Sequence, residues 1–171
     1  MTTKKVSNSS TERRKKMRAN LWPEIKDDVL WLRKTHVGFT TIPRTMSLIG
    51  RIMNTMSGKG FPVFETYLTL WCWVFDEAFV EIRTPKEFAY ESGFSGTRGE
   101  ATWRNRMRRL ENLGFISIKA GIASDFQYIL IFNPLKVIKQ AYKDKLDDMT
   151  YNALLSRLIQ VGADDLDDKQ S

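Results

Sequence analysis

The spacing of apolar residues divides the chain into helical and extended stretches. Over residues 21–34, Trp22, Ile25, Val29 and Leu32 recur three and four apart. That spacing predicts an amphipathic helix with Pro23 in its first turn and Val37-Gly38 beyond its end. A second helix is predicted over residues 43–56. Met46, Ile49, Ile52 (or Met53) and Met56 form its stripe, and Ser57-Gly58 its stop. Residues 64–79 are apolar on most sides. Leu68, Trp71, Cys72, Phe75 and Phe79 make one stripe, widened by Tyr67, Leu70, Trp73 and Val74. This predicts a central helix buried between the amino-terminal helices and the module that follows. After Asn133-Pro134, Leu135, Ile138, Tyr142 and Leu146 predict one helix. Tyr151, Leu154, Leu155, Leu158 and Ile159 predict another, which either covers the core or self-associates.

Between these helices the pattern changes period. Val80-Glu81-Ile82 predicts a short strand. Thr84-Pro85-Lys86-Glu87 has the form of a capping box with proline at the first helical position, and Gly93 supplies the following turn. A longer helix is predicted over residues 97–113. Placed 100° apart, Trp103, Met107 and Leu110 fall on one side, and Arg98, Ala101, Asn105, Arg108 and Asn112 on the other. Arg104 and Arg109 lie on the flanks, and Arg106 beside the apolar stripe. Leu110 and Leu113 end this helix, Gly114 suits a left-handed cap, and Phe115-Ile116-Ser117-Ile118 begins a strand at once. The segment Ala120-Gly121-Ile122-Ala123-Ser124-Asp125 turns the chain, and residues 126–132 return as a second strand rich in aromatic and β-branched residues.

Charge changes the picture next. The 171 residues carry 27 Lys and Arg against 20 Asp and Glu, a net charge of +7. This favours a polyanionic partner, nucleic acid or an anionic membrane surface. The excess is uneven. Residues 1–20 hold seven basic residues and one acid, Glu12, and predict a flexible basic arm. Its two readings are a solubilising tail and an arm that tracks phosphates. From Asp144 onward seven aspartates face Lys145, Arg157 and Lys169, and residues 163–171 predict a frayed acidic tail. The acidic tail is a candidate competitor of DNA for the basic arm, within or between chains.

Several chemistries are disfavoured. Cys72 is the only cysteine and His36 the only histidine, so the chain offers no disulfide within itself and no Cys₄ or Cys₂His₂ zinc site. In its apolar run Cys72 is expected to be a small buried hydrophobe. Ser57-Gly58-Lys59-Gly60 resembles the end of a phosphate loop but lacks the preceding glycine and the Lys-Ser/Thr pair, so no nucleotide site is expected. Asp76-Glu77 is a carboxylate pair on an apolar helix, and Asp164-Asp165 and Asp167-Asp168 sit in the tail. A metal-dependent nuclease is therefore not expected, and neither is a cofactor. No apolar stretch reaches the ~18 residues of a membrane span, and the start has no secretory core. A cytoplasmic protein without a membrane partner is expected.

The helix at 97–113 carries five arginines against two glutamates, and its polar side has the chemistry a major groove requires. Arginine donates twice to guanine, asparagine pairs twice with adenine, and a small residue permits close approach. Arg98, Ala101, Thr102 and Asn105 are the candidate base readers, in the amino-terminal half. Arg104, Arg108 and Arg109 are candidate phosphate contacts, which position without specifying. A solvated face paired to Glu100 and Glu111 is the plain alternative.

Residues 64–134 resemble the winged-helix domains of bacterial transcription regulators and plasmid replication initiators. The run R-x-R-R-L-E-N-L-G-F-I, from Arg106 to Ile116, and the short hairpin after it carry the resemblance. It implies a supporting helix, a recognition helix in the major groove, and a wing against the neighbouring backbone, with Lys119 as its basic residue. The wing lacks arginine, which argues against a minor-groove wedge. The expected fold is mainly α with a small β-hairpin wing (α+β). In chain order it comprises a basic arm (1–20), amino-terminal helices (21–60), a winged-helix domain (61–134), carboxy-terminal helices (135–162) and an acidic tail (163–171). The expected function is double-stranded DNA binding without enzymatic activity, as a transcription regulator of a plasmid or other mobile element, with a homodimer open. The alternatives are a replication initiator and a winged-helix module that binds protein.

Overall fold

The computed structural model describes residues 3–163, so the acidic tail beyond Ala163 lies outside the described residues. It divides into two units, Met1–Phe39 and Thr40–Ser171.

The first unit opens with helix α1 (Thr3–Leu21), where a flexible arm is expected. Lys, Arg, Met, Ala and Glu are good helix formers, and no glycine or proline intervenes before Pro23. Lys15 Nζ adds a pair to Glu12 at 3.0 Å, one turn away. The helix predicted over 21–34 is absent. The chain makes only a single 3-10 turn, Asp27–Val29, and leaves it extended at Leu30. Pro23 stops α1, and Asp27 is drawn to the Arg18 guanidinium. Trp22, Ile25 and Val29 are exposed, so their periodicity meets no surface to bury it. Trp31 instead stacks on His36 at 5.6 Å and meets the edge of Phe39 at 5.7 Å.

The second unit is an α+β arrangement of six helices and one three-stranded antiparallel sheet among the described residues. Helix α2 (Met46–Ser57) follows the predicted methionine and isoleucine stripe and ends at Gly58. Asn54 on α2 accepts hydrogen bonds from the amides of Val63 and Phe64, at 2.8 and 3.0 Å. It thereby caps the start of α3 (Phe64–Trp73).

Helix α3 is shorter than the predicted 64–79, and the expected stripe is not the buried one. Val63, Thr66, Tyr67 and Leu70 face the core, while Cys72 and Phe75 are exposed. The chain leaves the helix at Val74, with extended backbone, so the apolar run spans a helix end, a turn and a strand. Phe79 belongs to that strand, β1 (Phe79–Glu81).

Helix α4 (Pro85–Glu91) starts at proline as predicted, but the capping box is not made. The Glu87 amide donates to the Thr84 carbonyl instead of its hydroxyl. Helix α5 (Gly99–Asn112) leads into β2 (Ile116–Lys119) and β3 (Tyr128–Ile131). The sheet order is β1-β3-β2, with Phe79, Leu130 and Ser117 in one row, Val80, Ile129 and Ile118 in the next, and Glu81, Tyr128 and Lys119 in the one after.

Helices α6 (Pro134–Ala141) and α7 (Met149–Val161) finish the unit. Asn133 caps the first and Asp148 the second. Tyr151, Leu154 and Leu158 of α7 are buried and α7 packs on α2, so of the two readings for this helix, core cover is the one observed. One core joins Ile49, Tyr67, Trp103, Met107, Phe115, Ile129 and Ile138.

Candidate nucleic-acid interface

Three local features fix the pose of α5. Helix α4 ends at Gly93, with φ +85°, and the turn brings Gly99 against the carbonyl of Phe94. A Cβ at Gly99 would lie 2.8 Å from that oxygen, so only glycine lets α5 start there. At the other end, Gly114 has φ +84°, its amide donates to Glu111 O, and the Phe115 amide donates to Leu110 O. This is a Schellman close, and it turns the chain directly into β2. Along the middle, Trp103, Met107 and Leu110 are completely buried.

With that side committed to the core, the predicted opposite side is exposed. Arg98, Ala101, Asn105 and Arg108 all face solvent. Arg98 sits at the N-cap, and its carbonyl accepts both the amide and the hydroxyl of Thr102, each at 3.0 Å. The half-buried Thr102 is thus bonded back to its own helix. No ion pair ties Arg98 or Arg108 to an acid among the described residues.

The other arginines separate. Arg104 pairs with Glu100 at 2.8 Å. The guanidiniums of Arg104 and Arg108 lie over the Phe126 ring, at 5.0 and 5.2 Å from its centroid. Arg109 turns away from this face. Its Nη2 donates to the carbonyls of Met56 and Ser57, at 3.0 and 3.1 Å, and closes the carboxyl end of α2. Arg106 is partly buried over Phe61, at 3.5 Å, with Phe94 farther off at 5.9 Å. Burial lowers its pKa and Glu65 partly opposes this. Glu111 forms no ion pair with the arginines among the described residues, and its Oε1 accepts the Ile118 amide at 2.7 Å.

The β2–β3 loop lies beyond Lys119, which is exposed at the end of β2. Ile122 stands fully exposed at the loop. Buried Gln127 organises it. Its Oε1 accepts the Ala123 amide at 2.8 Å, and its Nε2 donates to Glu81 and to the Tyr128 hydroxyl, at 3.3 and 3.2 Å. Phe126, Gln127 and Glu111 therefore help to build the site; from the sequence Glu111 is expected only as a partner for the arginines, and Phe126 and Gln127 have no assigned role. The available signal was a polar residue and an aromatic at the start of an otherwise apolar return strand.

Of the eight predicted residues, Arg98, Ala101, Thr102, Asn105 and Arg108 share the outward side of α5, and Arg104 flanks it. Lys119 stands at the hairpin, and Arg109 is diverted to α2. No cluster of three or more metal-ligating side chains occurs among the described residues, and no described helix is long and apolar enough to cross a membrane. No family model, curated protein or solved structure matches the chain.

Proposed function

We propose that residues 61–134, within the second unit, form a winged helix-turn-helix domain, and that the protein binds double-stranded DNA by laying α5 in the major groove as a regulator of transcription. The element order α3-β1-α4-α5-β2-β3 with sheet order β1-β3-β2 supports the fold reading. The observation that carries the functional reading is the outward side of α5. There Arg98, Asn105 and Arg108, unpaired with any acid among the described residues, surround the small Ala101 on a helix anchored by three buried side chains. Arg98 and Asn105 are the base-reading residues, with Ala101 allowing close approach. Arg108, with Arg104, contacts phosphates.

The test is selection of bound sequences from random duplex DNA with the full chain, followed by gel-shift titration of variants. Arg98→Ala or Asn105→Ala is expected to lose discrimination at one position of the enriched site by ~1–3 kcal/mol. If no sequence is enriched, or both variants select the wild-type site with wild-type affinity, α5 is not the reading element.

A further inference from the structure

The inner face of the sheet is buried, but its outer face is apolar and bare. Phe79, Tyr128, Leu130 and Phe132 point outward from β1 and β3 and remain 44%, 36%, 43% and 42% exposed. Phe79 stacks on Tyr128 at 6.1 Å, so the patch is continuous. Phe132 carries it on into an open groove of about 540 Å³ beside Leu113, Val137 and Ala141. The four side chains alone expose on the order of 300 Å². A patch of that size lies within the range of the largest apolar patch on a typical monomer, often a functional one, so its surroundings decide what it does.

The charges around the patch say what covers it. In the row through Tyr128, Glu81 stands on one side and Lys119 on the other. Consider a two-fold axis parallel to β3, lying between two sheets packed face to face. It leaves position along the strand unchanged and exchanges the two sides. Glu81 of one copy then faces Lys119 of the other, twice, while Tyr128, Leu130 and Phe132 meet their own counterparts. Glu81 carries its charge at neutral pH, because hydrogen bonds from Arg83 and Gln127 hold its carboxyl below the usual range. Arg83 reaches Glu81 through two long contacts of 3.3 Å each, and its guanidinium is largely exposed, so this surface pair is weak enough to be exchanged.

We infer that the outer face of the β1-β3-β2 sheet is the seat of a two-fold dimer of this chain, sealed by reciprocal Glu81–Lys119 pairs around Tyr128, Leu130 and Phe132. Because the axis runs along β3, both β2–β3 loops project from the same end of the dimer.

The test is sedimentation of the full chain without DNA. Wild type is expected to dimerise, and Leu130→Asp, checked for folding by circular dichroism, to be monomeric. Lys119→Glu, which sets like charges opposite each other twice, is expected to weaken the dimer about tenfold or more. The double variant Glu81→Lys/Lys119→Glu is expected to restore it. A wild-type monomer at every concentration up to about 0.1 mM overturns the proposal, since a specific two-fold contact of this kind assembles below that. So does a double variant no better than Lys119→Glu alone. The two readings fail separately. A dimer that selects no DNA sequence sinks the DNA reading alone. A monomer that selects a single half-site sinks the dimer alone.

Discussion

Replacing Arg109 by alanine removes the two hydrogen bonds its guanidinium gives to Met56 O and Ser57 O, at 3.0 and 3.1 Å. Those carbonyls belong to the last turn of α2, where no intrahelical donor reaches them and the helix dipole favours a cation. A hydrogen bond from a charged donor contributes ~1.5–3 kcal/mol. Both bonds come from one nitrogen of a half-buried side chain, so we expect a total loss of about 2 kcal/mol rather than twice the single value. In a chain of this size that lowers the melting temperature by roughly 4–8 °C. Arg108 is its neighbour in sequence but is exposed, with its guanidinium 5.2 Å from the Phe126 ring. Arg108→Ala should therefore change stability by less than about 1 kcal/mol.

Urea denaturation and salt-dependent gel shifts on the same two variants separate the roles. Arg109→Ala should shift the urea midpoint down by about 1 M and leave the slope of log affinity against log salt intact. Arg108→Ala should keep the wild-type midpoint, weaken binding to all sequences, and reduce that slope by roughly one. The opposite pattern, with Arg109→Ala flattening the slope at an unchanged midpoint, refutes the division of these arginines.

Two further outcomes follow from the core. The Tyr67 side chain is fully buried, and neither its hydroxyl nor Trp71 Nε1 meets hydrogen-bond geometry with a partner among the described residues. Burial, only partly offset by the nearby Trp71, pushes its pKa from 10.0 up to about 12. The unfolded chain thus releases this proton near pH 10 and the folded protein near pH 12, so stability falls with rising pH across that window. The slope is about 1.4 kcal/mol per pH unit. In Tyr67→Phe this part of the alkaline loss should disappear from urea titrations at pH 9 to 11, and stability at pH 7 should hold or rise; a variant with the wild-type alkaline slope rules the assignment out. At Gly50, an added Cβ would lie 2.5–2.7 Å from three ring atoms of Phe64, so Gly50→Ala must displace that ring. Overpacking of ~1–3 kcal/mol outweighs the ~1 kcal/mol gain in helix propensity, and calorimetry should record a lower melting temperature, whereas a higher one contradicts the packing.

What was legible in the sequence was what depends on neighbours along the chain. The wheel of α5 needs only its own residues, and the Leu113-Gly114-Phe115 close needs only the next few, so both the outward side and the passage into β2 were recovered. Arg108 and Arg109 differ by one position on that wheel. Their fates differ because the end of α2, more than fifty residues away in sequence, meets one and not the other. Cys72 and Phe75 were misplaced for a related reason. A period counted across 64–79 assumes one element, whereas backbone turning extended at Val74 resets which way each side chain points. In 21–34 the spacing is helical, but Pro23 and the Arg18–Asp27 pair act locally and no core is there to reward the pattern.

On the DNA-binding reading, the packing around Phe126 explains how a short hairpin and a helix act as one surface. Trp103 lies against Phe126 at 5.4 Å from inside the core, and Arg104 and Arg108 cover the same ring. Glu111 ties the end of α5 to the Ile118 amide of β2, and Gln127 ties the loop to β1 through Glu81. The loop therefore cannot swing independently of α5 without losing several of these contacts together. Preorganisation of this kind lowers the ordering cost of association, which long cationic side chains otherwise raise by ~0.5–1.5 kcal/mol each. The saving is unevenly distributed. Arg104 and Arg108 are already held, Asn105 has little freedom to lose, and Arg98 has no side-chain anchor among the described residues. Arg98 must therefore be ordered by the DNA itself. Such a residue contributes only where its bidentate partner is present, so Arg98 sharpens discrimination more than it raises affinity, while the held arginines do the reverse.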